Sequence, residues 1–318
     1  MSKSLIVHIG LPKTGTSSLQ KNLFPLLCNE NNILYNPPEY SKVYDKDSLS
    51  YRDDKKKFEK VLQENNVLIS EESLVGWNPR NWQSSSERVL DLFGRRAKIL
   101  ITMRDPIDYL TSVWIQQIQE GRIFEPSKFF LNRIDYDKKK PFIKNNSLDY
   151  FDYDALDYEF LYKLYSEYFD EVYILPLSQI SSIYPFKSLY RLSDESITRY
   201  REIFLNSKKQ NISYSRIAIK LSFIREKALK INFNKFPWLG NFISRLPSLS
   251  LRTRIFTWRW WMQSVVNKLF PYDKPQLPIE ITSKFDQHLF QANINFIKTH
   301  TRLIEKSENT NVNKKFLA

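Results

Sequence analysis

One short segment constrains the fold of this chain more than any other: residues 8–20, with the sequence HIGLPKTGTSSLQ. The apolar run at residues 4–9 (SLIVHI) leads into it and predicts a short buried strand. Leucines at positions 19, 23 and 27 recur at helical spacing, so a helix should begin near Thr16. The first N–H groups of a helix lack intrahelical acceptors, and the helix dipole is positive at that end. A strand, a glycine turn and a helix start therefore predict an anion-binding turn.

The two glycines of this turn distinguish it from the common nucleotide-binding loop. Gly10 and Gly15 have the spacing of the P-loop motif G-x-x-x-x-G-K-[ST], in which a lysine directly after the second glycine reaches the β- and γ-phosphates. Here Thr16 has that position, and the lysine is Lys13, inside the turn. A lysine in the turn is suited to a shorter 5′ group, at the bond that is broken, rather than to a triphosphate.

The segment at residues 11–19 (LPKTGTSSL) resembles the 5′-phosphosulfate loop of the PAPS-dependent sulfotransferases, in particular the bacterial, carbohydrate-type members. PAPS is 3′-phosphoadenosine 5′-phosphosulfate. The resemblance implies that the N–H groups of residues 14–18 hold the 5′-phosphate and that Lys13 stabilises the oxygen that leaves. It implies sulfuryl transfer to a hydroxyl acceptor, on a carbohydrate or glycolipid, without a metal. The donor-binding residues at this end would be Lys13, Thr14, Gly15, Thr16, Ser17 and Ser18.

The 3′-phosphate of PAPS requires a second site. Sulfotransferases have an Arg at the end of a later strand and a Ser eight residues further on, in the next helix. Residues 98–112 (KILITMRDPIDYLTS) supply Arg104 and Ser112 at that spacing. A guanidinium can bind two phosphate oxygens at once, and a serine hydroxyl can donate one more hydrogen bond. The alternative interpretation, without the resemblance, is that Arg104 forms an ion pair with a nearby aspartate and that Ser112 is an exposed surface residue.

Two glutamates are candidates for the base that accepts the acceptor's proton. Glu71 and Glu72 follow the predicted strand at residues 67–70 (VLIS), where carbohydrate-directed sulfotransferases place a Glu. The Ser-x-Glu pattern of bacterial members favours Glu72, which is the preferred candidate, whereas an animal-type Glu-Lys-Ser/Thr alignment would favour Glu71. The other glutamate would then cap the next helix or lie in solvent.

A later segment resembles the part of the family that returns over the nucleotide. In residues 208–215 (KKQNISYS), Asn211 and Ser213 would lie near the cofactor. The Glu that the family often has after its fourth strand is absent from residues 177–180 (LSQI).

The order of predicted elements gives the fold class. Strands at residues 4–9, 67–70, 98–103 and 172–175 alternate with helices at 108–120 and 154–169, which predicts an α/β fold with a central parallel sheet flanked by helices. The resemblance implies a P-loop NTPase-like sulfotransferase fold. Residues 36–57 are turn-rich and charged and predict a surface loop. We expect one sulfotransferase-like domain over residues 1–318, with an α/β nucleotide-binding core at 1–195 and a helical, basic part at 196–318.

The positive charge of the chain is confined to one region. The net charge is +13, and residues 199–270 alone contain 15 basic and two acidic residues. In residues 237–271, tryptophans alternate with arginines, for which there are three interpretations: an acceptor-binding lobe, a peripheral contact with an anionic membrane, or core aromatics beneath a basic solvated face. We do not expect nucleic acid as a partner, because no recognised binding module accompanies the charge.

Composition limits the remaining possibilities. A single cysteine, Cys28, excludes a disulfide scaffold, and three histidines leave little for a metal centre. No signal sequence or membrane-spanning run is expected, so a cytoplasmic protein, peripheral to a membrane at most, fits best. Two other functions are possible interpretations: an ATP-dependent kinase, and a non-catalytic protein that binds glycans or membranes. A kinase would need a strand that ends in an aspartate suited to Mg²⁺, and no such strand follows the turn.

Overall fold

The computed structural model describes residues 3–44, 50–139, 149–183, 185–190, 192–207, 213–230, 258–270, 272–285 and 287–315. Their strands are β1 (Leu5–His8), β2 (Ile33–Tyr35), β3 (Asn66–Ser70), β4 (Lys98–Met103), β5 (Phe130–Leu131), β6 (Phe151–Asp152) and β7 (Glu171–Pro176). The helices before β4 are α1 (Thr16–Ser18), a π-helical turn (Leu19–Leu23), α2 (Phe24–Glu30), α3 (Pro38–Tyr44), α4 (Tyr51–Glu64) and α5 (Trp82–Phe93). Those up to β7 are α6 (Pro106–Gln119), α7 (Pro126–Phe129), α8 (Arg133–Lys139) and α9 (Tyr158–Tyr168).

The described part of the chain after β7 contains many helices and no strand. Its helices are α10 (Pro185–Tyr190), α11 (Asp194–Asn206), α12 (Arg216–Lys230), α13 (Trp258–Trp261), a π-helical turn (Met262–Val266), α14 (Asn267–Leu269), α15 (Ile279–Thr282) and α16 (Gln287–Lys315). Short 3₁₀ turns lie at Glu72–Leu74, Pro79–Asn81, Tyr153–Ala155 and Leu177–Gln179. A helical C-terminal part is therefore confirmed for the described residues.

Five of the strands form one parallel sheet in the order β2-β3-β1-β4-β7. The first strand lies between the third and fourth, with Val7 opposite Ile69 on one side and Ile99 on the other. All three of these side chains are fully buried, as expected for a parallel sheet covered on both faces. The fold is α/β with a central parallel sheet flanked by helices. The carboxyl ends of β1, β3 and β4 meet at one edge of this sheet, where ligands bind in open α/β folds.

The prediction of a surface loop at residues 36–57 is wrong. α3 and the start of α4 occupy that range, and Asp53 and Asp54 lie in the first turn of α4, where the helix dipole favours negative charge. The buried Tyr40 of α3 packs its ring 5.9 Å from the ring of Phe58 in α4. The charged residues that suggested a loop are the solvent face of two amphipathic helices.

The chain divides into two compact units. The first contains Met1–Pro106, Asn132–Gln210 and Phe285–Ala318, and the second contains Ile107–Leu131 and Asn211–Lys284. These limits differ from the boundary predicted between residues 195 and 196, and a single domain stays a prediction. None of the helices in the described ranges is both long enough and apolar enough to cross a bilayer.

Candidate functional site

The turn after β1 places the start of a helix at the carboxyl edge of the sheet. The N–H group of Leu11 donates to the carbonyl of Thr102, 3.1 Å away, which fixes the beginning of the turn on β4. Lys13 has φ +65° and Gly15 has φ +87°, both in the left-handed region. Gly15 is the N-cap of α1, and no side chain caps this helix start. The first N–H groups of α1 are therefore not satisfied by a capping side chain, as an anion-binding helix start requires.

Gly10 allows the turn to lie directly on the sheet. A Cβ atom at this position would lie 2.1 Å from Oγ1 of Thr102 and 2.6 Å from Oγ1 of Thr16. Any side chain there would push the turn away from β4. Close packing against β4 therefore explains why the first of the two glycines in the turn is needed.

A chain of mostly buried hydrogen bonds runs beneath the turn, from Gln20 in the π-helical turn across three strands. Gln20 donates to Ser70 Oγ (3.1 Å), Ser70 Oγ contacts His8 Nδ1 (2.7 Å), and His8 Nε2 contacts Thr102 Oγ1 (3.3 Å). Oγ1 of Thr102 lies 2.7 Å from that of Thr14, and Thr14 donates to the carbonyl of Leu11.

The proton positions in this chain follow from its two ends. Because Thr14 donates to a carbonyl, its oxygen accepts from Thr102, and Thr102 in turn accepts from His8 Nε2–H. His8 Nδ1 is then the acceptor of the Ser70 hydroxyl proton, which leaves the Ser70 oxygen free to accept from Gln20. Burial lowers the pKa of His8 to about 3, so the ring is neutral, as this single-proton arrangement needs. His8 is therefore a neutral histidine of the protein core.

Glu71 serves the local backbone. One of its carboxylate oxygens accepts from the N–H (3.2 Å) and the hydroxyl (2.8 Å) of Ser73, so it caps the 3₁₀ turn that follows β3. Tyr44 donates to the same Ser73 hydroxyl, 2.5 Å away. This is the capping role that the sequence allowed for the less favoured of the two glutamates.

Glu72 faces the turn. Burial raises the pKa of its carboxyl above the ordinary value; the nearby Thr16 hydroxyl and the positive charge of Lys13 lower it in part, and the negative charge of Glu71 adds to the rise. Oγ1 of Thr16 is buried and makes no hydrogen bond, so the Glu72 carboxyl lies near this hydroxyl without being bonded to it. A partly desolvated carboxylate with a raised pKa is a competent proton acceptor near neutral pH.

Arg104 reaches the turn from the end of β4. Its Nη1 donates to the carbonyl of Lys13 at 3.4 Å. The backbone of Arg104 is also fixed, because Tyr158 donates its hydroxyl to the Arg104 carbonyl at 2.8 Å. The guanidinium is thus placed beside the turn, at the carboxyl edge of the sheet.

Of the other predicted residues, two belong to the second unit and two to the helix start after Gly15. Ser112, on α6, is buried and belongs to the second unit. Ser213 also belongs to the second unit, and its carbonyl accepts from the Asn267 amide at 2.8 Å. Asn211 lies outside the described residues. Ser17 and Ser18, both half-buried, are in the helix start itself. Within the first unit, the structure brings together Lys13, Thr14, Gly15, Thr16, Glu72 and Arg104.

Sequence reasoning missed two groups of residues at this site. Ser70 and Thr102 support the turn from below, and a hydroxyl residue inside an otherwise apolar strand is the signal that could have found them. Leu177 and Ile180 pack against the turn from above, since a Cβ atom on Gly15 would lie within 2.8 Å of a methyl group of each. These two apolar side chains cover one side of Gly15.

Two further features lie apart from this edge. Among the described residues, no group of three or more His, Cys, Asp or Glu side chains is arranged to hold a metal ion. A cavity of about 920 Å³ opens at the opposite edge of the sheet, where Lys3, Asn66 and Lys98 line it near the starts of β1, β3 and β4.

Comparison with known proteins gives little similarity. No protein-family model matches the chain, and no curated protein matches it. A solved structure from the PezAT chromosomal toxin–antitoxin system of Streptococcus pneumoniae aligns with 64% of this chain and 86% of its own, at 15% identity and a TM-score of 0.27. That TM-score is too low to support a conclusion about function.

Proposed function

We propose that the protein is a sulfotransferase that moves a sulfuryl group from PAPS to a hydroxyl acceptor on a carbohydrate or glycolipid. The observation that carries the proposal is the meeting of three groups at one turn: the Lys13 side chain, the Glu72 carboxyl and the Arg104 guanidinium. The resemblance of residues 11–19 to the 5′-phosphosulfate loop supplies the identity of the donor. We further propose that the five-stranded sheet belongs to the P-loop NTPase-like sulfotransferase fold.

The residues present fit such a donor. The uncapped helix start after Gly15 offers N–H groups to the 5′-phosphate, and Thr16 and Ser17 add hydroxyl groups there. The Arg104 guanidinium, beside the carbonyl of Lys13, supplies a second cation for the 3′-phosphate. Ser112, Asn211 and Ser213 stay proposals as further donor contacts. PAPS supplies the activated sulfuryl group.

The roles of the chain's own residues follow from charge. The Lys13 ammonium stabilises the negative charge that grows on the departing phosphate oxygen, since fixed cations act most strongly where charge develops. Glu72 accepts the proton of the attacking hydroxyl. Leu177 and Ile180, packed on Gly15, exclude water from one side of the turn. No metal is needed in this scheme, because the turn, Lys13 and Arg104 provide the positive charge.

A thermal-shift titration of the full chain tests the donor assignment against the rival functions. Adenosine 3′,5′-bisphosphate at about a hundredfold excess over its Kd, without Mg²⁺, should stabilise the protein by about 2.7 kcal/mol, a Tm rise of about 5 °C or more. Stabilisation by Mg²⁺ and ATP alone would instead identify a kinase. Indifference to both nucleotides would leave a non-catalytic binding protein.

Variants of the turn sharpen the same experiment. Lys13→Met should reduce the stabilisation by the bisphosphate, because a cation beside the bound phosphate is lost, and it should abolish transfer. Lys21→Met removes a lysine from the π-helical turn that follows α1 and is the matched control. Equal bisphosphate shifts in the Lys13 variant and in the wild type would contradict the placement of the donor. Mass spectrometry of glycans and lipids incubated with PAPS and enzyme would then identify the acceptor.

A further inference from the structure

The second unit exposes an unusual number of large apolar side chains within a short stretch of chain. Between residues 258 and 272, five such side chains have 36% or more of their surface in solvent: Trp260 (39%), Trp261 (36%), Leu269 (71%), Phe270 (45%) and Tyr272 (52%). Single exposed apolar residues are normal on proteins, but a concentration of them marks an interaction surface.

The stretch is held in place by its other side. Met262 and Val266 are buried, and the indole N–H of Trp258 donates to Ser222 Oγ on α12 at 2.9 Å. The guanidinium of Arg225, also on α12, lies 5.0 Å from the centre of the Trp258 ring. The exposed tryptophans and leucine are therefore presented by a packed helical segment.

Basic residues accompany the apolar ones on α12. Its exposed positions recur at helical spacing and form one face: Arg216, Lys220, Ile224 and Lys227. Ile224 is 61% exposed in the middle of this face. Lys268 is exposed beside Leu269 in α14. Asp273 pairs with Arg216 and Asp108 pairs with Lys274, which neutralises part of the charge. The described residues 213–230 and 258–270 nevertheless contain seven basic residues and one acidic residue.

We propose that this surface, defined as Lys220, Ile224, Lys227, Trp260, Trp261, Lys268, Leu269, Phe270 and Tyr272, docks on an anionic lipid bilayer. The headgroup region of such a bilayer accepts both kinds of side chain at once. Trp and Tyr rings favour the interface, Leu, Ile and Phe enter the acyl boundary, and lysines are attracted by anionic headgroups. A nucleic acid would attract the lysines but would leave Leu269, Phe270 and Ile224 in water. The proposal does not depend on the sulfotransferase assignment.

Vesicle flotation with the full-length protein tests the proposal. The wild type should float with phosphatidylcholine vesicles that contain about one third phosphatidylglycerol and should remain in solution with pure phosphatidylcholine. Raising the salt to about 1 M shortens the Debye length to about 3 Å and should release most of the bound protein. A 30-mer DNA duplex, added in place of the vesicles, tests the nucleic-acid alternative.

Two pairs of variants assign the binding to this surface. Leu269→Gln with Phe270→Gln should reduce flotation, and Ile134→Gln with Phe160→Gln, which are equally exposed on the first unit, should not. Lys220→Glu with Lys268→Glu should weaken the partition constant at least about fivefold for each lysine, since one basic residue near an anionic surface contributes about 1 kcal/mol. Lys42→Glu with Lys56→Glu makes the same charge change on exposed positions of the first unit.

Each possible result of these experiments either supports or overturns the proposal. Selective loss of flotation in the second-unit variants, with Tm unchanged, supports the surface. No flotation of the wild type on anionic vesicles, equal losses in both members of a pair, or tight binding to the DNA duplex alone would each overturn the proposal.

Discussion

At the scale of single residues, the two carboxylates after β3 differ in what they contact. Glu71 accepts two hydrogen bonds from Ser73, whereas Glu72 lies near Thr16 and Lys13 and has a raised pKa. A capping carboxylate is already engaged, so it is a poor proton acceptor. The contacts therefore favour Glu72 as the base of the proposed reaction.

Substitution of the two glutamates tests this choice. Glu72→Gln should lower kcat by about a hundredfold to ten-thousandfold, the usual contribution of a general base, and should leave the affinity for adenosine 3′,5′-bisphosphate close to that of the wild type. Glu71→Gln should retain most of the activity and lose some stability, because a weaker acceptor caps the 3₁₀ turn. Initial rates with saturating PAPS, and isothermal titration with the bisphosphate, measure both effects. The reverse pattern would make Glu71 the base.

The pH profile of the wild type gives an independent measurement on Glu72. The carboxyl must be ionised to accept a proton, and its pKa lies above the ordinary glutamate value of about 4.3. As the pH falls, kcat/KM should therefore begin to drop at a higher pH than an unperturbed glutamate would give. Lys13→Met removes the cation that opposes this rise, so the pKa of the Glu72 carboxyl in this inactive variant, followed by carboxyl NMR, should move to still higher pH. A carboxyl pKa unchanged by the Lys13 substitution would show that Lys13 does not act on Glu72.

The buried hydrogen-bond chain beneath the turn makes Thr102 a positioning residue for the proposed donor site. Thr102→Val keeps the shape of the side chain but leaves the His8 ring N–H without an acceptor and the Thr14 oxygen without its donor, at a cost of about 1–3 kcal/mol in stability. Bisphosphate affinity should fall as the turn loses its support. Thr102→Ser retains the hydroxyl and should restore the affinity, which calorimetric titration would show. Weak binding in the serine variant as well would mean that the methyl packing, and not the hydrogen bond, supports the turn.

At the scale of elements, the turn between β1 and α1 depends on a conformation that only glycine adopts easily. Gly15 has φ +87°, and a Cβ atom there would lie 2.7 Å from Ile180 Cδ1. Gly94, at the end of α5, has φ +72° with no atom within 4 Å of such a Cβ. Both positions need a positive φ, but Gly15 lies in the left-handed helical region (ψ 6°) and Gly94 in an extended region (ψ 166°) that is essentially open to glycine alone. Only at Gly15 would a Cβ atom meet neighbouring atoms.

This pair gives a matched test of the turn. Gly94→Ala should lower stability by about 1–3 kcal/mol through backbone strain alone and leave nucleotide binding intact. Gly15→Ala should also lower stability, and it alone should reduce bisphosphate affinity, at least tenfold, because Leu177, Ile180 or the helix start must shift. Denaturant unfolding and titration calorimetry measure the two effects. Equal behaviour of both variants would show that the apolar cover yields without affecting the site.

Much of the first unit could be predicted from local pattern, and the failures have physical causes. The apolar run at Lys98–Met103 predicts its strand to the residue, because a strand buried on both faces leaves a continuous apolar signal. The short β2 was missed, since its three residues are only partly buried and it lies at the sheet edge. The helices α3 and α4 were missed because their charged faces outweigh a few buried aromatic residues.

The candidate site, too, could be predicted from the sequence only in part. The motif predicted Lys13 and Arg104 from sequence spacing, and the structure places both at one turn. The difference between Glu71 and Glu72 could not be predicted, because it depends on which carboxyl meets Ser73 and which meets Thr16. Contacts between residues distant in sequence, such as the link from His8 to Thr102, leave no periodic signal in the chain.

At the scale of the whole molecule, the first unit is assembled from three separate stretches of chain and is closed by its last helix, α16. Asn293 makes this closure specific: it is buried, its side-chain oxygen accepts from the N–H of Tyr158 at 2.9 Å, and its amide donates to the carbonyl of Leu156 at 2.6 Å. Tyr158 opens α9 and donates to Arg104. A residue near the end of the sequence thus supports the arginine at the sheet edge.

Removal of this amide should therefore affect both stability and the distant site. Asn293→Ala leaves a buried N–H and a buried carbonyl without partners, which should lower the free energy of unfolding by about 2–4 kcal/mol and Tm by about 5–15 °C. Bisphosphate affinity should also fall, below the unfolding transition, because Tyr158 no longer fixes the Arg104 backbone. Asn295→Ala, an exposed position on the same helix, should change neither quantity. If Asn293→Ala lowered Tm but left the bisphosphate affinity at the wild-type value, the prediction would be wrong. The contacts from α16 through Tyr158 to Arg104 would then stabilise the fold without affecting the candidate site.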